Sequence, residues 1–215
     1  MVVCVDKWWD GHGGGFLGAG SISAIVGLSL AMYGVVMADV AKNSSLPGVR
    51  IRQLAREDLV AISAAFDELG WNKPVALYER YFLEQSAGDR VVFVAFVDSE
   101  FAGYVTVIWK STYPPFADAG VSEINDFNVL PSFRRRGIGS ALMDAAEATI
   151  SERSDVAGIG VGMTADYGQA QRMYPKRGYV PDGRGLAQGG EVVKFRQPIV
   201  VDDSTALWFT KDLVR

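Results

Sequence analysis

The stretch of the sequence with the clearest chemistry is a turn rich in arginine and glycine, between residues 129 and 140. It reads VLPSFRRRGIGS and lies between a predicted strand and a predicted helix. Gly137 and Gly139 allow the backbone to approach a ligand closely, and the first amides of the following helix present free N–H groups. The three arginines add positive charge and several hydrogen-bond donors each. The turn therefore predicts a phosphate-binding cradle, with a solvated basic turn as the alternative.

Two familiar nucleotide-binding motifs do not fit this turn. A Walker loop needs Gly-Lys followed by Ser or Thr, whereas Ile138, Gly139 and Ser140 follow Gly137. A Rossmann fingerprint needs a third small residue at the position of Leu142. Neither motif accounts for the cradle.

The rarest residue types argue against several kinds of catalysis. The chain has one histidine, His12, and one cysteine, Cys4, both near the amino terminus. Ser-His-Asp and Cys-His catalysis, and zinc sites built from His and Cys, need those residues close to the rest of the site. A disulfide framework is excluded as well. We therefore expect chemistry based on carboxylates, Tyr, Lys, Arg, backbone amides or a bound cofactor.

The composition is that of one globular domain without a basic excess. The 215 residues are 49% hydrophobic and 21% charged, with a formal net charge of -4. Proteins that bind polyanions usually carry a clear excess of basic residues. Nucleic acid is therefore not expected as the partner.

The apolar pattern places the cradle within an alternation of strands and helices. Strands are predicted where β-branched and aromatic residues cluster, and helices where apolar residues recur every three or four positions. The predicted strands are 49–54, 91–97, 101–109, 121–129, 156–163 and 206–210, and the predicted helices are 59–69, 72–85, 138–151 and 168–176. This order indicates an α/β (α+β) fold with a mixed sheet flanked by helices.

The amino-terminal region carries a long apolar run outside the predicted domain. Residues 16–38 include no charged side chain and are numerous enough to span a bilayer as a helix. Three interpretations stay open: a membrane anchor with the following domain on the cytoplasmic side, a cleaved signal peptide, and a translation start at Met37. Because residues 43–48 resemble a linker, we expect residues 1–48 to be an apolar segment with its linker and 49–215 to be the domain.

Two motifs resemble those of one known family. Arg134, Gly137 and Gly139 match Arg/Gln-x-x-Gly-x-Gly/Ala, and residues 170–179 match Ala-x-x-Leu/Met-Tyr-x-x-x-Gly-Phe/Tyr. Both are motifs of the GNAT superfamily of N-acetyltransferases, and together they cover residues 127–179. The order of the predicted elements extends the likeness to 49–215. The chain therefore resembles a GNAT acetyltransferase.

The resemblance implies a mostly antiparallel sheet whose fourth and fifth strands splay apart, with acetyl-CoA bound between them as cosubstrate. Backbone groups on the exposed strand edge would bind the pantetheine arm, and the turn would bind the pyrophosphate. The residues that take these cofactor-binding roles by position are Phe127, Asn128, Val129, Arg134, Arg135, Arg136, Gly137, Ile138 and Gly139. No metal is expected.

The resemblance also implies the two catalytic residues. Tyr174 would be the general acid, because a Tyr of pKa about 10 can protonate a departing thiolate of pKa about 8.5. Glu123 stands where some family members carry a catalytic base. Asp126 and Asp166 stay open as alternative bases.

Two positions depart from the family pattern. Gly162 stands where another branch of the family has a carboxylate on the fifth strand, and Tyr167 stands where many members have an Asn that touches CoA. The missing carboxylate favours a second interpretation, a non-catalytic acyl-CoA-binding or sensor module. The retained Tyr174 favours catalysis.

The expected activity is transfer of an acetyl group from acetyl-CoA to a primary amine of a small molecule or peptide by direct attack. The resemblance assigns acceptor specificity to the first two helices, their connecting loop and a later hairpin, with aromatic residues and one aspartate as candidates. These candidates are Trp71, Tyr78, Tyr81, Phe82, Trp109, Tyr113, Phe116 and Asp118. We expect a cytoplasmic location and membrane contact only through residues 16–38, and a homodimer stays open.

Overall fold

A computed structural model describes residues 46–213 as one mixed sheet flanked by helices. The strands are β1 (Val49–Gln53), β2 (Arg90–Val97), β3 (Glu100–Ile108), β4 (Ser122–Val129), β5 (Val156–Gly162), β6 (Val180–Gln188), β7 (Glu191–Val192) and β8 (Thr205–Asp212). The helices are α1 (Leu59–Asp67), α2 (Val75–Ala87), α3 (Pro114–Ala119), α4 (Ile138–Ser151) and α5 (Gly168–Lys176). The apolar run 16–38 and residues 43–45 of the linker lie outside the described residues.

The sheet has the order β1-β2-β3-β4-β5-β8-β6-β7. Strands β4 and β5 are parallel, and the other neighbouring pairs within residues 46–213 are antiparallel. This topology confirms the predicted fold class, a mixed and mostly antiparallel sheet.

The parallel pair β4–β5 is joined at one end only. Its register runs from Ser122 opposite Ala157 to Ile124 opposite Ile159. Beyond these residues β4 continues beside β3, and β5 continues beside β8. The two strands therefore part, and residues 125–129 of β4 extend past their pairing with β5.

A β-bulge marks the place where the strands part. The register of β4 with β3 shifts between Tyr104 and Thr106, and Asp126 has a φ of 40°. An extra residue in one strand bends that strand and increases its twist. The bulge is thus the local feature that turns the second half of β4 away from β5.

Glycine and proline set the ends of the predicted helices. Helix α2 begins after Pro74, three residues later than the periodicity suggested, and stops at Gly88, whose φ is 84°. Helix α4 follows Gly137, whose φ is 82°. Positive φ values are easily adopted by glycine, which has no Cβ.

Strand β6 and the hairpin that follows it were missed by the sequence analysis. Pro181 and Gly183 interrupt the alternation of β6, whose register with β8 shifts before Leu186. The hairpin turn is Gly189-Gly190, with φ values of 62° and 79°. Gly-Gly between two strands is a recognised signal for a tight hairpin, so this turn could have been found.

Helix α3 was also missed, because six residues are too few to reveal a helical period. It belongs to a small aromatic core next to β8, separate from the main core. This core contains Tyr113, Phe116, Ala187, Ala206 and Trp208. It packs α3 against β6 and β8 of the sheet. Among residues 46–213 no helix is both long and apolar enough to cross a membrane.

Candidate active site

The predicted cradle is a turn that ends in the first residues of α4. The side chain of Ile138 is buried in the main core and anchors the helix start, while Gly137 is exposed. Arg134 donates from Nε to the carbonyl oxygen of Val129 at 3.1 Å. Its Nη2 is buried without a hydrogen-bond partner in the described part of the chain, and burial lowers the pKa of Arg134. A partly buried guanidinium that lines a cavity suits an anionic ligand.

The cradle opens into a cavity of about 150 Å³, the cofactor cavity. It is lined by Phe127, Val129, Arg134, Arg135, Gly137, Gly139, Ser140, Gln169 and Met173. Six of these were predicted from the motifs, whereas Ser140, Gln169 and Met173 were not. Gln169 and Met173 lie on α5, and their approach to the cradle depends on packing that the sequence does not display.

Three predicted cofactor residues do not line this cavity. Asn128 is buried, and its Nδ2 donates to Asp126 at 2.8 Å. Arg136 is exposed, with its guanidinium 5.3 Å from the ring centre of Phe133. Ile138 lies in the core. The side chains of Asn128 and Ile138 are thus buried away from the cavity, whereas that of Arg136 is exposed beside the cradle.

Gly139 has little room for a side chain. A Cβ at this position would lie 3.3 Å from Cζ of Phe127 and 3.4 Å from Cε of Met173. Both residues line the cofactor cavity. A larger residue at 139 would therefore fill the cavity or displace its walls.

Tyr174 lies on α5 directly after Met173. Its side chain is completely buried, and its ring centroid is 6.0 Å from that of Tyr179. Tyr174 lines neither of the two cavities described here. Its position on the helix that borders the cofactor cavity agrees with its place in the second motif.

Glu123 is 2% exposed on β4, where β4 still pairs with β5. Its carboxylate accepts hydrogen bonds from Oγ of Ser111 and, at 2.7 Å, from Nδ2 of Asn125. Burial raises the pKa of Glu123, and these two hydrogen bonds and the charge of Arg90 oppose part of that rise. The result is a carboxylate that accepts a proton more readily than an exposed one.

Asp126 is held in a network on the same strand. Nζ of Lys73 donates to it at 2.7 Å, Nδ2 of Asn128 at 2.8 Å and the hydroxyl of Tyr81 at 2.9 Å, and the hydroxyl of Tyr104 also donates to it. All the acceptor capacity of a carboxylate is used by this arrangement. Asp166, the other candidate base, is exposed in the turn before α5.

The two departures from the family pattern form one structural feature. The ring of Tyr167 lies so close to Gly162 that a Cβ at 162 would collide with it. The hydroxyl of Tyr167 donates to Oδ1 of Asp203 at 3.2 Å. A carboxylate side chain at position 162 would require Tyr167 to move.

A second cavity of about 190 Å³, the acceptor cavity, lies on the side of Glu123. It is lined by Thr112, Tyr113, Glu123, Gly189, Gly190, Ser204, Ala206 and Trp208. Glu123 and Tyr113 were named from the sequence. Thr112 precedes α3, and the others come from the β6–β7 turn, from β8 and from the residue before β8, where no motif marks them.

The remaining acceptor candidates lie elsewhere. Tyr78 and Tyr81 are buried in the main core, and Trp71 and Phe82 pack against it. Trp109 also packs against that core, with the guanidinium of Arg153 4.1 Å from its ring centre. Phe116 lies in the aromatic core and Asp118 is exposed. Of the eight aromatic and acidic candidates, Tyr113 alone lines the acceptor cavity.

Comparison with known proteins identifies the family of the chain. The model of the acetyltransferase (GNAT) family matches residues 52–179. The chain belongs to the GNAT acetyltransferase family. A search of curated proteins gives no match.

Several solved structures share the fold at low sequence identity. Ard1 from Thermoplasma volcanium is 22% identical with a TM-score of 0.58, over 78% of this chain and 99% of that one. An N-acetyltransferase from Staphylococcus aureus Mu50 is 20% identical with a TM-score of 0.56, over 77% and 99%. A ribosomal-protein-alanine N-acetyltransferase from Brucella melitensis is 18% identical with a TM-score of 0.57, over 76% and 99%. These likenesses show the fold.

Proposed function

We propose that the protein is an acetyl-CoA-dependent N-acetyltransferase that acts on a primary amine. The observation that carries this proposal is the parting of β4 from β5 after Ile124, next to the cradle at the start of α4. A strand edge that leaves its neighbour offers N–H and C=O groups to a ligand that contains amides. The cradle offers positive charge and free amides to a pyrophosphate.

In this proposal the cofactor cavity holds the pyrophosphate and part of the pantetheine arm. The guanidinium of Arg134, which lines the cavity, and the first amides of α4 bind the phosphate oxygens. Backbone groups of residues 127–129 pair with the amides of the arm. The reactive end of the arm extends along β4 toward Glu123, which is four residues, or roughly 13 Å, from Phe127 at the usual rise of a strand.

The transfer itself needs one proton removed and one supplied. The neutral amine attacks the thioester carbonyl carbon, a C–N bond forms, and the C–S bond breaks. Tyr174 gives its hydroxyl proton to the departing thiolate sulfur. Glu123 takes the proton lost from the amine nitrogen, directly or through one water molecule.

Glu123 is preferred as base over the two aspartates because of its surroundings. It lines the acceptor cavity and its pKa is raised by burial. Asp126 is already an acceptor for Lys73, Asn128 and two tyrosines, which favours a role in holding the bulge. Asp166 is exposed in the turn before α5 and lines neither cavity.

The second candidate function is a non-catalytic acyl-CoA-binding or sensor module of the same fold. The placement of Tyr167 over Gly162 favours it, because a carboxylate at position 162 would require Tyr167 to move. We also propose a cytoplasmic location. A homodimer is proposed for both candidate functions, the transferase and the sensor module.

The two candidates are separated by measuring binding and turnover on the same protein. Calorimetry with acetyl-CoA tests the cofactor site, and release of CoA thiol in the presence of a panel of primary amines tests catalysis. Binding together with amine-dependent thiol release supports the transferase. Binding without release for any amine would favour the sensor, and the absence of binding would contradict both.

A further inference from the structure

The carboxylate of Asp126 is the centre of a buried polar cluster that lines neither cavity and takes no part in the proposed transfer. Its hydrogen-bond donors come from four parts of the fold: Lys73 between α1 and α2, Tyr81 on α2, Tyr104 on β3 and Asn128 on β4. Of these donors, Lys73 alone carries a charge. A buried carboxylate needs hydrogen bonds and a cation to compensate its loss of water, so the cluster depends on Lys73.

Lys73 is itself held in place by its surroundings. Its carbonyl oxygen accepts a hydrogen bond from Oγ of Ser63 on α1 at 2.9 Å, and Pro74 follows it at the start of α2. Its Nζ also donates to the hydroxyl oxygen of Tyr104 at 2.8 Å, and this hydroxyl donates in turn to Asp126. Burial and the negative charge of Asp126 raise the pKa of Tyr104, so the hydroxyl keeps the proton that it donates. The ammonium therefore acts on the carboxylate both directly and through Tyr104.

The backbone of Asp126 forms the bulge of β4. Residues 104 and 106 of β3 lie opposite residues 128 and 125 of β4, so two residues of β4 face one residue of β3. Among the residues other than glycine with a positive φ in the described part of the chain, Asp126 is the only one inside a strand. A positive φ is unfavourable for a residue with a Cβ and persists only where contacts maintain it. The hydrogen bonds to the carboxylate are such contacts.

The residues that follow the bulge border the cofactor cavity. Phe127 and Val129 line it, and Asn128 between them donates from Nδ2 to Oδ1 of Asp126, the same oxygen that accepts from Lys73. The carboxylate of Asp126 thus holds the strand both before and after Phe127. A shift of this carboxylate would turn the N–H and C=O groups of the three residues after it, which are the groups proposed to bind the pantetheine arm.

We propose, on the basis of the proposed function, that Lys73 and Asp126 are positioning residues for the pantetheine arm of acetyl-CoA. Their ion pair holds the bulge, and the bulge sets the direction of the backbone groups along the edge of β4. The proposed pyrophosphate site lies instead at the start of α4 and at Arg134, and Lys73 does not line the cofactor cavity. Loss of the ion pair should therefore weaken binding of the arm and spare binding of the pyrophosphate.

Two ligands separate these two parts of the site. Acetyl-CoA carries both the pyrophosphate and the pantetheine arm, whereas ADP carries the pyrophosphate without the arm. Lys73→Met keeps the length and the apolar stem of the side chain and removes the ammonium. By calorimetry we expect its Kd for acetyl-CoA to be about tenfold higher than that of wild type, the scale of one lost hydrogen bond to the ligand, and its Kd for ADP to stay within about twofold.

Lys211→Met is the matched control. It removes a lysine–carboxylate pair of the same 2.7 Å length, that with Glu147, and neither of these residues lines a cavity. It should lower the Tm and leave both Kd values unchanged. Tyr81→Phe is a second variant, which removes one hydrogen bond to Asp126 and keeps the ion pair. Its Kd for acetyl-CoA should rise about threefold and that for ADP should not change, and this comparison decides the question if Lys73→Met fails to fold.

The outcomes distinguish this inference from the proposed function. An unchanged Kd for acetyl-CoA in the folded variant, or equal rises for acetyl-CoA and ADP, would overturn the inference and leave the transferase intact. If wild type does not bind acetyl-CoA, the proposed function fails, and hydrogen exchange in the ligand-free protein still decides. Amides of residues 125–129 that exchange at least about tenfold faster in Lys73→Met than in wild type and Lys211→Met would support the hold of Lys73 on this edge, and equal rates would overturn it.

Discussion

The Tyr174→Phe variant tests whether the hydroxyl of Tyr174 donates the proton to the departing thiolate. Tyr174→Phe keeps the buried ring and removes the proton donor, so the departing thiolate must leave unprotonated. We expect turnover to fall by roughly 10²-fold, the usual scale for one general acid. The affinity for acetyl-CoA, measured by calorimetry, should stay within a few-fold.

The matched control for this change is Tyr179→Phe, which removes a hydroxyl from the neighbouring ring 6.0 Å away. Turnover of the control should stay close to wild type. Full turnover of Tyr174→Phe under conditions in which chemistry limits the rate would remove Tyr174 from the mechanism.

Glu123 should govern the acidic limb of the pH–rate profile. A base works only when deprotonated, and burial raises the pKa of Glu123, so activity should fall with decreasing pH at values above the ordinary range of a glutamate. Glu123→Gln should lower turnover and lose this limb, with partial recovery at alkaline pH as free amine becomes available. An unchanged profile in the variant would assign the base elsewhere.

The same substitution should change stability in the opposite direction to activity. Because the pKa of Glu123 is raised on folding, the folded protein holds this proton more strongly than the unfolded chain, and the stabilisation is lost as pH rises through the raised pKa. Glu123→Gln stays neutral, so its Tm should exceed that of wild type at pH 8. At pH 4 the two Tm values should agree, and a lower Tm for the variant at pH 8 would contradict the argument.

At the scale of elements, the strand–turn–helix cradle can bind its ligand only if the ligand approaches the backbone closely at Gly139. Gly139→Val would place methyl groups against Phe127 and Met173 in the cofactor cavity. The loss of two amide contacts to an anion costs on the order of 3 kcal/mol, so we expect acetyl-CoA affinity to fall by at least tenfold. Calorimetry measures this loss.

Gly168→Val is the control for that experiment. Gly168 begins α5, and nothing lies within 4 Å of a Cβ built on it. Acetyl-CoA should bind this variant with near wild-type affinity. If folded Gly139→Val bound acetyl-CoA as tightly as wild type does, the assignment of the cradle as the pyrophosphate site would be wrong.

The carboxylate of Glu147 on α4 binds both Arg177, at the end of α5, and Lys211 on β8. Arg177 donates to Glu147 at 2.9 and 3.0 Å, and Nζ of Lys211 donates to it at 2.7 Å. Burial by itself would raise the pKa of Glu147, but the hydrogen bonds and charges of Arg177 and Lys211 lower it below the ordinary value. The ion pairs of Glu147 with Arg177 and Lys211 therefore stabilise the fold at neutral pH, and this stabilisation is lost as pH falls through the lowered pKa of Glu147.

Glu147→Gln should accordingly cost about 1–3 kcal/mol at pH 7, between the values for exposed and buried ion pairs. The loss relative to wild type should shrink at acidic pH, where the wild-type carboxylate is protonated as well. Denaturant unfolding at pH 7 and at pH 3 measures both. A constant difference at the two pH values would show that the ion pairs do not carry the effect.

At the scale of the whole molecule, the described sheet and its core lie between Val49 and Leu213. The elements that build both cavities lie within the same limits. We therefore expect that deleting residues 1–36 leaves a folded domain that binds acetyl-CoA with wild-type affinity. Aggregation of the shortened chain, when the full chain stays dispersed without detergent, would mean that the apolar run belongs to the fold.

The residues of the cradle could be predicted because they belong to one continuous stretch of sequence. The cradle occupies one strand end, one turn and one helix start, so its residues are neighbours in the sequence as well as in space. Gly137 takes a positive φ and Gly139 has no room for a side chain, and both properties can be inferred from residue type. The alternation of strand and helix periods likewise indicated the sheet and four of its helices.

The acceptor side was decided by tertiary structure. Thr112, Glu123, Gly190 and Trp208 meet at one cavity although they are far apart in the sequence. No periodicity or motif links such residues, because their approach depends on strand order and on a hairpin whose strand is interrupted by glycine and proline.

The sequence alone also does not distinguish between the candidate bases. Asp126 and Glu123 stand three residues apart on one strand, and both are carboxylates. They differ because Lys73, distant in the chain, donates to Asp126, whereas Glu123 is buried beside a cavity with neutral donors. A sequence fixes which groups can ionise, but the solvent and the partners that set their pKa values are assembled only by folding.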